Sequence, residues 1–473
     1  MHLIKTKFKT SANYFKALSI LSFLFPVGCS FSPNIEAIQN QLLPFTAPTI
    51  SSSTNKAFTG GGTDIEISGK NFGAGISVSV ASKDCQIQKL TGTTKINCAA
   101  PPMVAGSYPL TVTGVDGSAV TSTVTYDPLA FTKLSLMIGK LTDPLSSNAD
   151  GYFNNADSRG ANQIVRDGND LYTVDMDGGK IKKIDLATLK STTLVGKNNY
   201  DTLDLTPIDP KDAVLDSPRC LAKIGNLLYF CVSTTALGQL DLNTNILTVI
   251  AGRIPTDANS YGPTDPLGDK FSSIRAIYVN NGHLFIVDTD MIKKIDLSGT
   301  TYSDFAGVSG SGLQADGIGV TANFNTLTSS TLLNGDLYVG DSVDSSSTNL
   351  RKINLTTGLV TTVVGDIGNP INFGDEAVDG IGPLASINSF YGLTVFEDKL
   401  VLLDQYSNLK VRIFDPATAS LTTIKTINVN GTKNILGTLS DKASLRSFRV
   451  RSIYYAENYG LVIGAEYGLF RLQ

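Results

Sequence analysis

The sequence predicts an all-β protein in which a small β-sandwich precedes a six-bladed β-propeller. Two observations lead to this prediction. Residues 48–127 alternate apolar and polar positions between turn signals, which is typical of sandwich strands. Five glycines, each ending a short apolar run, then recur at steps of 57, 56, 55 and 58 residues: Gly139, Gly196, Gly252, Gly307 and Gly365. A fixed period of this length indicates a repeat that holds about four strands, which is one propeller blade.

The N-terminal residues 1–28 have the pattern of a secretory signal peptide. A basic start precedes the apolar run 17–27, which is shorter than the roughly 20 residues that span a bilayer. Gly28-Cys29 follows directly and resembles a bacterial lipobox, although Pro26 stands where that family has leucine. The resemblance implies that Cys29 is lipidated and that the protein is exported and anchored to a membrane of the bacterial envelope, at the outer membrane or cell surface. An ordinary secretory signal is the alternative.

Residues 29–47 lack a periodic pattern and are predicted to be a tether. The segment that follows, 48–127, resembles an IPT/TIG domain, an immunoglobulin-like module. The resemblance rests on the turn at 60–63, the stretch Ile67-Ser68-Gly69-Lys70-Asn71-Phe72-Gly73 and the segment Cys98-Ala99-Ala100-Pro101-Pro102. It implies a sandwich of about seven strands that positions neighbouring domains or binds proteins and has no catalytic role.

Residues 128–473 carry the repeats. Each repeat has an apolar strand such as Leu171-Tyr172-Thr173-Val174-Asp175, an alternating strand and a closing strand, and Asp316-Gly317 and Asp379-Gly380 precede new copies. These features resemble NHL-type repeats, which fold as six-bladed propellers.

The final copy supplies three strands and then the chain stops, whereas one strand, 133–138, is left over before the first full copy. We therefore expect strand 133–138 to pair with strand 469–472 and to close the ring, because an open array would expose both sheet edges.

Composition narrows the choice of function. The net charge is −4 and charged residues make up 17% of the chain, with no basic cluster in the linear sequence, which argues against a nucleic-acid partner. There are two histidines, and the one outside the signal, His283, follows the predicted hairpin turn Asn281-Gly282. A zinc site of several histidines, or a nucleophile activated by histidine, is therefore disfavoured, and the chain is predicted not to be an enzyme.

Carboxylates are the remaining candidates for chemistry. Four of them end equivalent strands: Asp175, Asp288, Asp341 and Asp404. A propeller would bring these strand ends to one face, and oxygen-rich sites suit Ca²⁺. They are therefore candidate metal ligands, although no firm cofactor is predicted. In the alternative interpretation they cap turns by accepting hydrogen bonds from nearby backbone.

Removal of Cys29 from the count leaves four cysteines, as expected in an oxidising compartment. IPT/TIG domains often carry cysteines at the positions of Cys85 and Cys98, so that resemblance implies a disulfide between them. Cys220 and Cys231 would lie opposite each other across a hairpin that turns at Gly225-Asn226. Whether they form a disulfide or a buried unbonded pair stays open, because the sequence does not reveal the pair geometry.

Together these features predict a cell-surface or envelope lipoprotein whose propeller is a binding or scaffold module for a protein or glycan ligand. The absence of Trp weakens the glycan interpretation, but 17 Tyr remain. The alternative is a calcium-dependent hydrolase or lyase with a carboxylate site on the central face of the propeller. A third hypothesis is a purely structural envelope component.

Overall fold

The structure is a computed structural model whose chain divides into two compact units between Ala130 and Phe131. It describes the following residues: 46–58, 63–103, 106–127, 134–139, 150–152, 162–197, 203–205, 209–252, 271–298, 301–344, 347–368, 370, 375–405, 409–427, 450–456, 460–465 and 468–472. The predicted signal peptide, the lipidation site Cys29 and almost all of the predicted tether lie outside these residues.

The first unit contains two sheets. One sheet has the strand order β1 (Thr49–Ser53), β3 (Asp64–Lys70), β7 (Lys95–Ala99), β6 (Gln86–Thr91). The other has the order β2 (Lys56–Phe58), β9 (Ala119–Asp127), β8 (Gly106–Thr113), β4 (Ser77–Val80), β5 (Lys83–Asp84). The unit thus has nine described strands where about seven were predicted, and two of them, β2 and β5, are only three and two residues long.

Alternation places one face of strands such as β3 and β4 of the first unit in a shared core. Ile65 and Ile67 of β3 are buried, and so are Val78 and Val80 of β4 in the opposite sheet. Phe72 also lies in this core and is fully buried. Each of these side chains contributes roughly 1.5–3 kcal/mol through burial, which explains why the period-2 pattern was legible in the sequence.

The second unit contains six sheets. The first three have these strand orders: β11 (Gly151–Tyr152), β15 (Lys190–Val195), β14 (Lys180–Asp185), β13 (Asp170–Asp175), β12 (Ile164–Asp167); then β16 (Leu221–Ile224), β17 (Leu227–Ser233), β18 (Ala236–Asp241), β19 (Ile246–Gly252); then β20 (Ala276–Asn280), β21 (His283–Val287), β22 (Ile292–Asp296), β23 (Tyr302–Ala306).

The fourth, fifth and sixth sheets have these orders: β24 (Gly317–Ile318), β28 (Leu359–Val364), β27 (Thr348–Asn354), β26 (Asp336–Ser342), β25 (Thr326–Leu333); then β29 (Gly380–Ile381), β33 (Ser420–Ile427), β32 (Leu409–Asp415), β31 (Lys399–Gln405), β30 (Phe390–Phe396); then β10 (Leu134–Gly139), β36 (Gly468–Leu472), β35 (Gly460–Ala465), β34 (Val450–Ala456). Three short 3₁₀ helices are described: Pro210–Asp212, Gly319–Thr321 and Gly382–Leu384. Within the described ranges, no helix has the length and apolar character needed to cross a membrane.

The sixth sheet joins the two ends of the unit. Strand β10 pairs antiparallel with β36, with Leu134 opposite Leu472 and Gly139 opposite Gly468. The predicted pairing of strand 133–138 with strand 469–472 is therefore present, from residue 134 onward. The innermost strands of successive sheets also contact one another in the order β12, β16, β20, β25, β30, β34, and β34 contacts β12.

The periodic glycines mark a shared backbone feature. Gly196, Gly252, Gly307 and Gly365 have φ between 87° and 92°, a left-handed region that a residue with a Cβ rarely adopts. A Cβ on Gly365 would also lie 2.0 Å from Asn349 Oδ1. Just before each glycine, the strand that ends there forms a bulge against the preceding strand, which leaves one of its residues unpaired: Leu194, Ile250, Phe305 and Val363. The glycine period thus follows from a bulge and turn that recur in successive sheets.

Candidate functional site

The four carboxylates selected from the sequence are buried. Asp175, Asp288 and Asp341 are 0% exposed and Asp404 is 1% exposed. A buried carboxylate is costly unless it is paired or accepts hydrogen bonds. Their partners therefore decide whether these groups form a site or stabilise the sheets.

In the fourth sheet, Asp341 belongs to a network with a buried arginine. Arg351 is 0% exposed, and its Nη1 donates to Asp341 Oδ2 at 2.6 Å. Its Nη2 donates to Asp316 Oδ1 at 2.9 Å. Asp316 in turn accepts hydrogen bonds from the backbone N–H and the hydroxyl of Thr362, at 3.0 and 2.9 Å. The network thus connects β26, β27 and β28 with the residue that precedes the short edge strand β24.

The fifth sheet repeats this network at equivalent positions. Arg412 Nη1 donates to Asp404 Oδ2 at 2.8 Å, and Nη2 donates to Asp379 Oδ1 at 2.9 Å. The N–H and hydroxyl of Thr423 donate to Asp379 at 2.7 and 2.8 Å. We call these two sets the carboxylate–arginine networks. They explain why Asp-Gly pairs precede new copies in the sequence, because each such aspartate fastens an edge strand to its own sheet.

The pKa shifts in the networks have opposite directions. Burial raises the pKa of Asp341 and of Asp404 above the usual range, and attraction to Arg351 and Arg412 only partly offsets it. Burial also acts to raise the pKa of Asp379. The hydrogen bonds from Thr423 and Arg412 outweigh that effect, so the pKa of Asp379 is lowered.

The other two carboxylates accept hydrogen bonds from nearby backbone. Asp175 Oδ1 accepts the N–H of Gly178 at 2.8 Å. Asp288 accepts the N–H groups of Ser272, Ser273 and Thr289 at 2.9, 2.6 and 2.9 Å. These contacts correspond to the turn-capping interpretation of the sequence. Asp341 and Asp404 also accept backbone N–H groups through Oδ1, from Asn325 and Thr326 and from Asn388. Their additional ion pairs with arginine were not anticipated.

An internal comparison of the sheets shows what these carboxylates do. In four sheets, an aspartate after or at the end of the second strand accompanies a basic residue near the start of the third: Asp175 with Lys182, Asp288 with Lys293, Asp341 with Arg351, and Asp404 with Arg412. The second sheet has Val232 and Gly238 at these positions, and the sixth has Ala465 and Phe470. Acid and base are therefore present together or replaced together. They form an ion pair with each other in the fourth and fifth sheets, whereas Lys182 and Lys293 pair with Asp150 and Asp304.

The structure thus differs from the expectation of an acidic central face. Across the described ranges, no group of three or more His, Cys, Asp or Glu side chains is placed to hold a metal ion. The four aspartates are instead bonded within separate sheets. The sequence placed them at equivalent strand ends correctly, but it did not reveal that each side chain is engaged by its own sheet.

A cavity of about 1280 Å³ lies among the innermost strands of all six sheets. Its lining includes residues of β12, β16, β20, β25, β30 and β34. Typical small-molecule pockets have volumes of about 300–1,000 Å³, so this cavity is large enough for a ligand of that size or for the end of a polymer. It is the candidate binding site.

The charged residues that line the cavity are all basic: Arg166, Arg219, Lys223, Arg275 and Arg451. As far as the structure describes this lining, it contains no Asp, Glu, His or Cys. This site was not predicted from the sequence, because its basic residues are far apart in the chain. One signal was available, since Arg219 and Arg275 are 56 residues apart, which is one repeat.

Polar side chains tie the cavity wall together. Gln163 of the first sheet donates from Nε2 to the carbonyl of Ile277 in the third sheet at 2.9 Å. Its Oε1 accepts the N–H of Leu221 in the second sheet at 2.9 Å. The hydroxyl of Tyr278 bonds to Ser330 of the fourth sheet. These contacts fix neighbouring inner strands and give the cavity a preformed wall.

The remaining sequence candidates lie away from this cavity lining. The structure joins Cys85 to Cys98 and Cys220 to Cys231, with Cα–Cα distances of 5.5 and 5.1 Å. The second pair flanks the hairpin in which Ile224 lies opposite Leu227, as the predicted turn requires. His283 begins β21, and its Nδ1 lies 2.8 Å from the carbonyl oxygen of Asn281.

Comparison with known proteins identifies one domain. Residues 48–129 match the family model of the IPT/TIG domain, so the IPT/TIG prediction for this part of the chain is confirmed. No curated protein matches the chain.

Comparison with solved structures found several that are similar to this chain. An auxiliary nutrient binding protein from Bacteroides thetaiotaomicron is 14% identical, with a TM-score of 0.50 over 91% of this chain and 98% of that chain. A second auxiliary nutrient binding protein, from Bacteroides ovatus, is 15% identical, with a TM-score of 0.35 over 81% and 99%. A Bacteroides thetaiotaomicron protein named as a phosphatase is 16% identical, with a TM-score of 0.33 over 81% and 98%. At 14% identity and a TM-score of 0.50, the first of these similarities concerns fold and not function.

Proposed function

We propose that this chain is an exported, lipid-anchored binding protein whose second unit is a closed six-bladed propeller that binds a ligand in its central cavity. The observation that carries the proposal is the cavity of about 1280 Å³, which the inner strands of all six sheets line. Large preformed cavities with a few convergent polar groups are the usual binding sites of proteins. The IPT/TIG domain at 48–129 would space or orient the propeller.

Two observations support a closed ring of NHL-like blades. Strand β10 completes the sheet of the C-terminal strands, and the inner strands β34 and β12 are in contact. Closure would complete the sixth sheet and leave only short, protected sheet edges. The repeated bulge, glycine and Asp-Gly positions support the assignment of the sheets as copies of one blade.

A cavity-filling variant tests the proposal. Ser329 lines the cavity and lies at a bulge in β25, so Ser329→Trp should occupy part of the cavity volume. Ser309, in an exposed turn, offers the matched control Ser309→Trp. The full chain should be screened against arrays of neutral and acidic oligosaccharides and short peptides. We expect Ser329→Trp to abolish binding of the selected ligand without changing the melting temperature, and Ser309→Trp to bind normally. Equal binding by both variants would contradict a cavity site.

The calcium-dependent hydrolase alternative has a separate test. A calcium site would raise the melting temperature with increasing Ca²⁺, and Asp288→Asn would remove that effect. Because Asp288 already accepts three backbone hydrogen bonds, we expect added Ca²⁺ to leave the melting temperature unchanged.

Membrane anchoring rests on the sequence, since Cys29 lies outside the described residues. We expect radiolabelled fatty acid to be incorporated into the full chain and Cys29→Ser to abolish both the label and recovery in the membrane fraction. A Cys29→Ser protein that stays equally membrane-bound would show that lipidation at this residue is not the anchor. The buried cysteine pairs at 85/98 and 220/231 are in keeping with an oxidising compartment.

A further inference from the structure

The five basic residues of the cavity belong to two groups. Arg166 and Lys223 already have partners near one end of the inner strands: Arg166 Nε donates to the Gly168 carbonyl at 2.8 Å, and Lys223 Nζ donates to Asp167 at 2.6 Å. Arg219, Arg275 and Arg451 form the other group, which we call the cavity arginines. Their Nε atoms are buried and lack a hydrogen-bond partner among the described residues, as do those of Arg351 and Arg412. Unlike Arg351 and Arg412, the cavity arginines form no ion pair with a carboxylate within the described ranges.

The cavity arginines occupy corresponding places in the fold. Arg219 lies two residues before β16, Arg275 lies directly before β20, and Arg451 is the second residue of β34. All three therefore stand at the N-terminal ends of inner strands, whereas Arg166 and Lys223 lie toward the C-terminal ends of theirs. One end of the cavity thus gathers guanidinium groups from the second, third and sixth sheets.

The guanidinium group of Arg275 is in an unfavourable environment. Burial, followed by repulsion from Arg219, lowers the pKa of Arg275, while attraction to Asp288 partly opposes this. Asp288 is already occupied by the three backbone N–H groups of Ser272, Ser273 and Thr289. Buried polar groups without partners are rare in proteins and call for an explanation. An anion placed among these arginines would supply both the missing acceptor and the missing charge.

Building on the proposed cavity function, we infer that the cavity binds an anionic ligand through an oxyanion group, a carboxylate or a sulfate or phosphate ester, held by Arg219, Arg275 and Arg451. Arginine is suited to this role because its planar fork matches carboxylate and phosphate oxygens. Hydroxyl and aromatic side chains of the same lining, such as Ser329, Thr328 and Tyr391, would contact the rest of the ligand. The bound group would enter from the end at which the inner strands begin.

Calorimetric titration of the full chain tests this inference with citrate and inorganic phosphate as probes and glycerol as the neutral control. The test variant is the double substitution Arg219→Gln/Arg275→Gln, and a second variant is Arg451→Gln. The matched control, Lys211→Gln/Lys425→Gln, removes the same charge from exposed positions outside the cavity lining. We expect at least one anion to bind the native chain, more weakly at higher salt. We expect the double variant to bind it at least tenfold more weakly and the control to bind it within twofold of the native chain.

The outcomes separate this inference from the proposed function. Tighter binding of citrate than phosphate would identify a carboxylate ligand, and the reverse would identify a phosphate or sulfate ester. The inference would be overturned if neither anion bound the native chain. It would also be overturned if the test and control variants lost the same amount of binding affinity. If an array ligand is lost in Ser329→Trp but binds normally to Arg219→Gln/Arg275→Gln, the cavity function stands and the anion inference fails. If the array ligand binds Ser329→Trp as tightly as it binds the native chain, the proposed function itself fails.

Discussion

Arg351 and Arg412 differ from the cavity arginines in their surroundings rather than in their chemistry. Each of the first two is fully buried and bonds to two carboxylates of its own sheet. Arg219, Arg275 and Arg451 are only half-buried and line a cavity whose described wall has no carboxylate. The same side chain thus forms ion pairs within its own sheet in one region, and in the other it faces a cavity whose described lining has no carboxylate.

The difference indicates how to separate structural from functional charges in this chain. A buried arginine with two carboxylates completes a network that stabilises the sheet only as a whole, since removal of one member leaves a buried unpaired charge. An arginine that faces a cavity and repels its neighbour contributes little to folding. Such a residue is retained at a cost to stability, which is expected where binding requires it.

The largest effect should come from breaking a carboxylate–arginine network. Arg412→Met leaves Asp404 buried without its ion-pair partner and should lower the free energy of unfolding by about 4 kcal/mol. Arg275→Met, in the cavity, should change it by less than about 0.5 kcal/mol. Urea unfolding curves of the two variants measure both effects.

A double variant and a surface control sharpen this comparison. Asp404→Leu/Arg412→Met removes both charges, so it should be more stable than Arg412→Met alone. Lys425→Met, at an exposed position of β33, should unfold as the native chain does. The distinction between the two kinds of arginine would be wrong if Arg275→Met and Arg412→Met were equally destabilised.

The sixth sheet tests whether an apolar pair replaces the acid and base. Phe470 occupies the position of the basic residue, is fully buried and lies opposite Leu136 of β10. Phe470→Ala would leave a cavity where the two ends of the unit meet, and it should cost about 3 kcal/mol. Thermal unfolding monitored by circular dichroism measures this loss. Leu313→Ala, at a side chain that is 69% exposed, is the control, and equal melting temperatures of the two variants would argue against closure through β36.

The repeats, the closing strand and the IPT/TIG domain could be predicted from the sequence because they depend on local chemistry. The glycines recur because a bulge followed by a residue with positive φ requires glycine, as at Gly307 and Gly365. Strand 133–138 was predicted to close the ring because it was left over when the strands of each repeat were counted. The IPT/TIG domain was identified by its turn and strand motifs. In these cases a short stretch of residues carries its own signal.

The candidate site depends on tertiary geometry and was therefore missed. Arg219 and Arg451 are separated by more than 200 residues in the chain, so no window of sequence contains a basic cluster. Asp341 was predicted to be a candidate metal ligand because the sequence does not show its partner. Arg351 lies on the next strand, and only the register of the two strands brings the side chains together. Alignment of the repeats with one another would have revealed the co-occurrence of acid and base in the four sheets.

In the second sheet a disulfide is present where other sheets have the acidic and basic residues. This difference leads to a further prediction. Val232 and Gly238 fill those positions, and the disulfide Cys220–Cys231 joins the first two strands instead. Closing a loop with a sequence separation of 11 should stabilise the fold by about 2 to 3 kcal/mol. We expect Cys220→Ala/Cys231→Ala to lower the free energy of unfolding of the second unit by that amount, as measured from urea unfolding curves. Cys85→Ala/Cys98→Ala should lower only that of the first unit, so a shift of both transitions in either variant would contradict independent roles.

The smallest predicted effect concerns pH and Asp379, the more exposed carboxylate of the fifth-sheet network, with a side chain that is 42% exposed. Its pKa is lowered in the folded protein, because bonds from Thr423 and Arg412 outweigh burial. As pH falls, the unfolded chain binds this proton first, near the ordinary value of about 3.9. The stability due to Asp379 is therefore complete above that pH and is lost as pH falls through the lower folded pKa.

Asp379→Asn should cost about 1 kcal/mol at pH 7, as expected for weakened hydrogen bonds, and the gap to the native chain should narrow below about pH 4. Thr423→Val, which removes the hydroxyl but keeps the N–H donor, should give a smaller gap with the same pH trend. Asp404 should behave oppositely: its pKa is raised by burial, so its ionisation costs stability as pH rises through the interval between the unfolded and folded pKa values. Urea midpoints of the native and variant chains between pH 3 and pH 7 measure both trends. A gap for Asp379→Asn that widened on acidification would show that the Thr423 and Arg412 contacts do not favour the ionised carboxylate, and the description of Asp379 as part of a charged network would then be wrong.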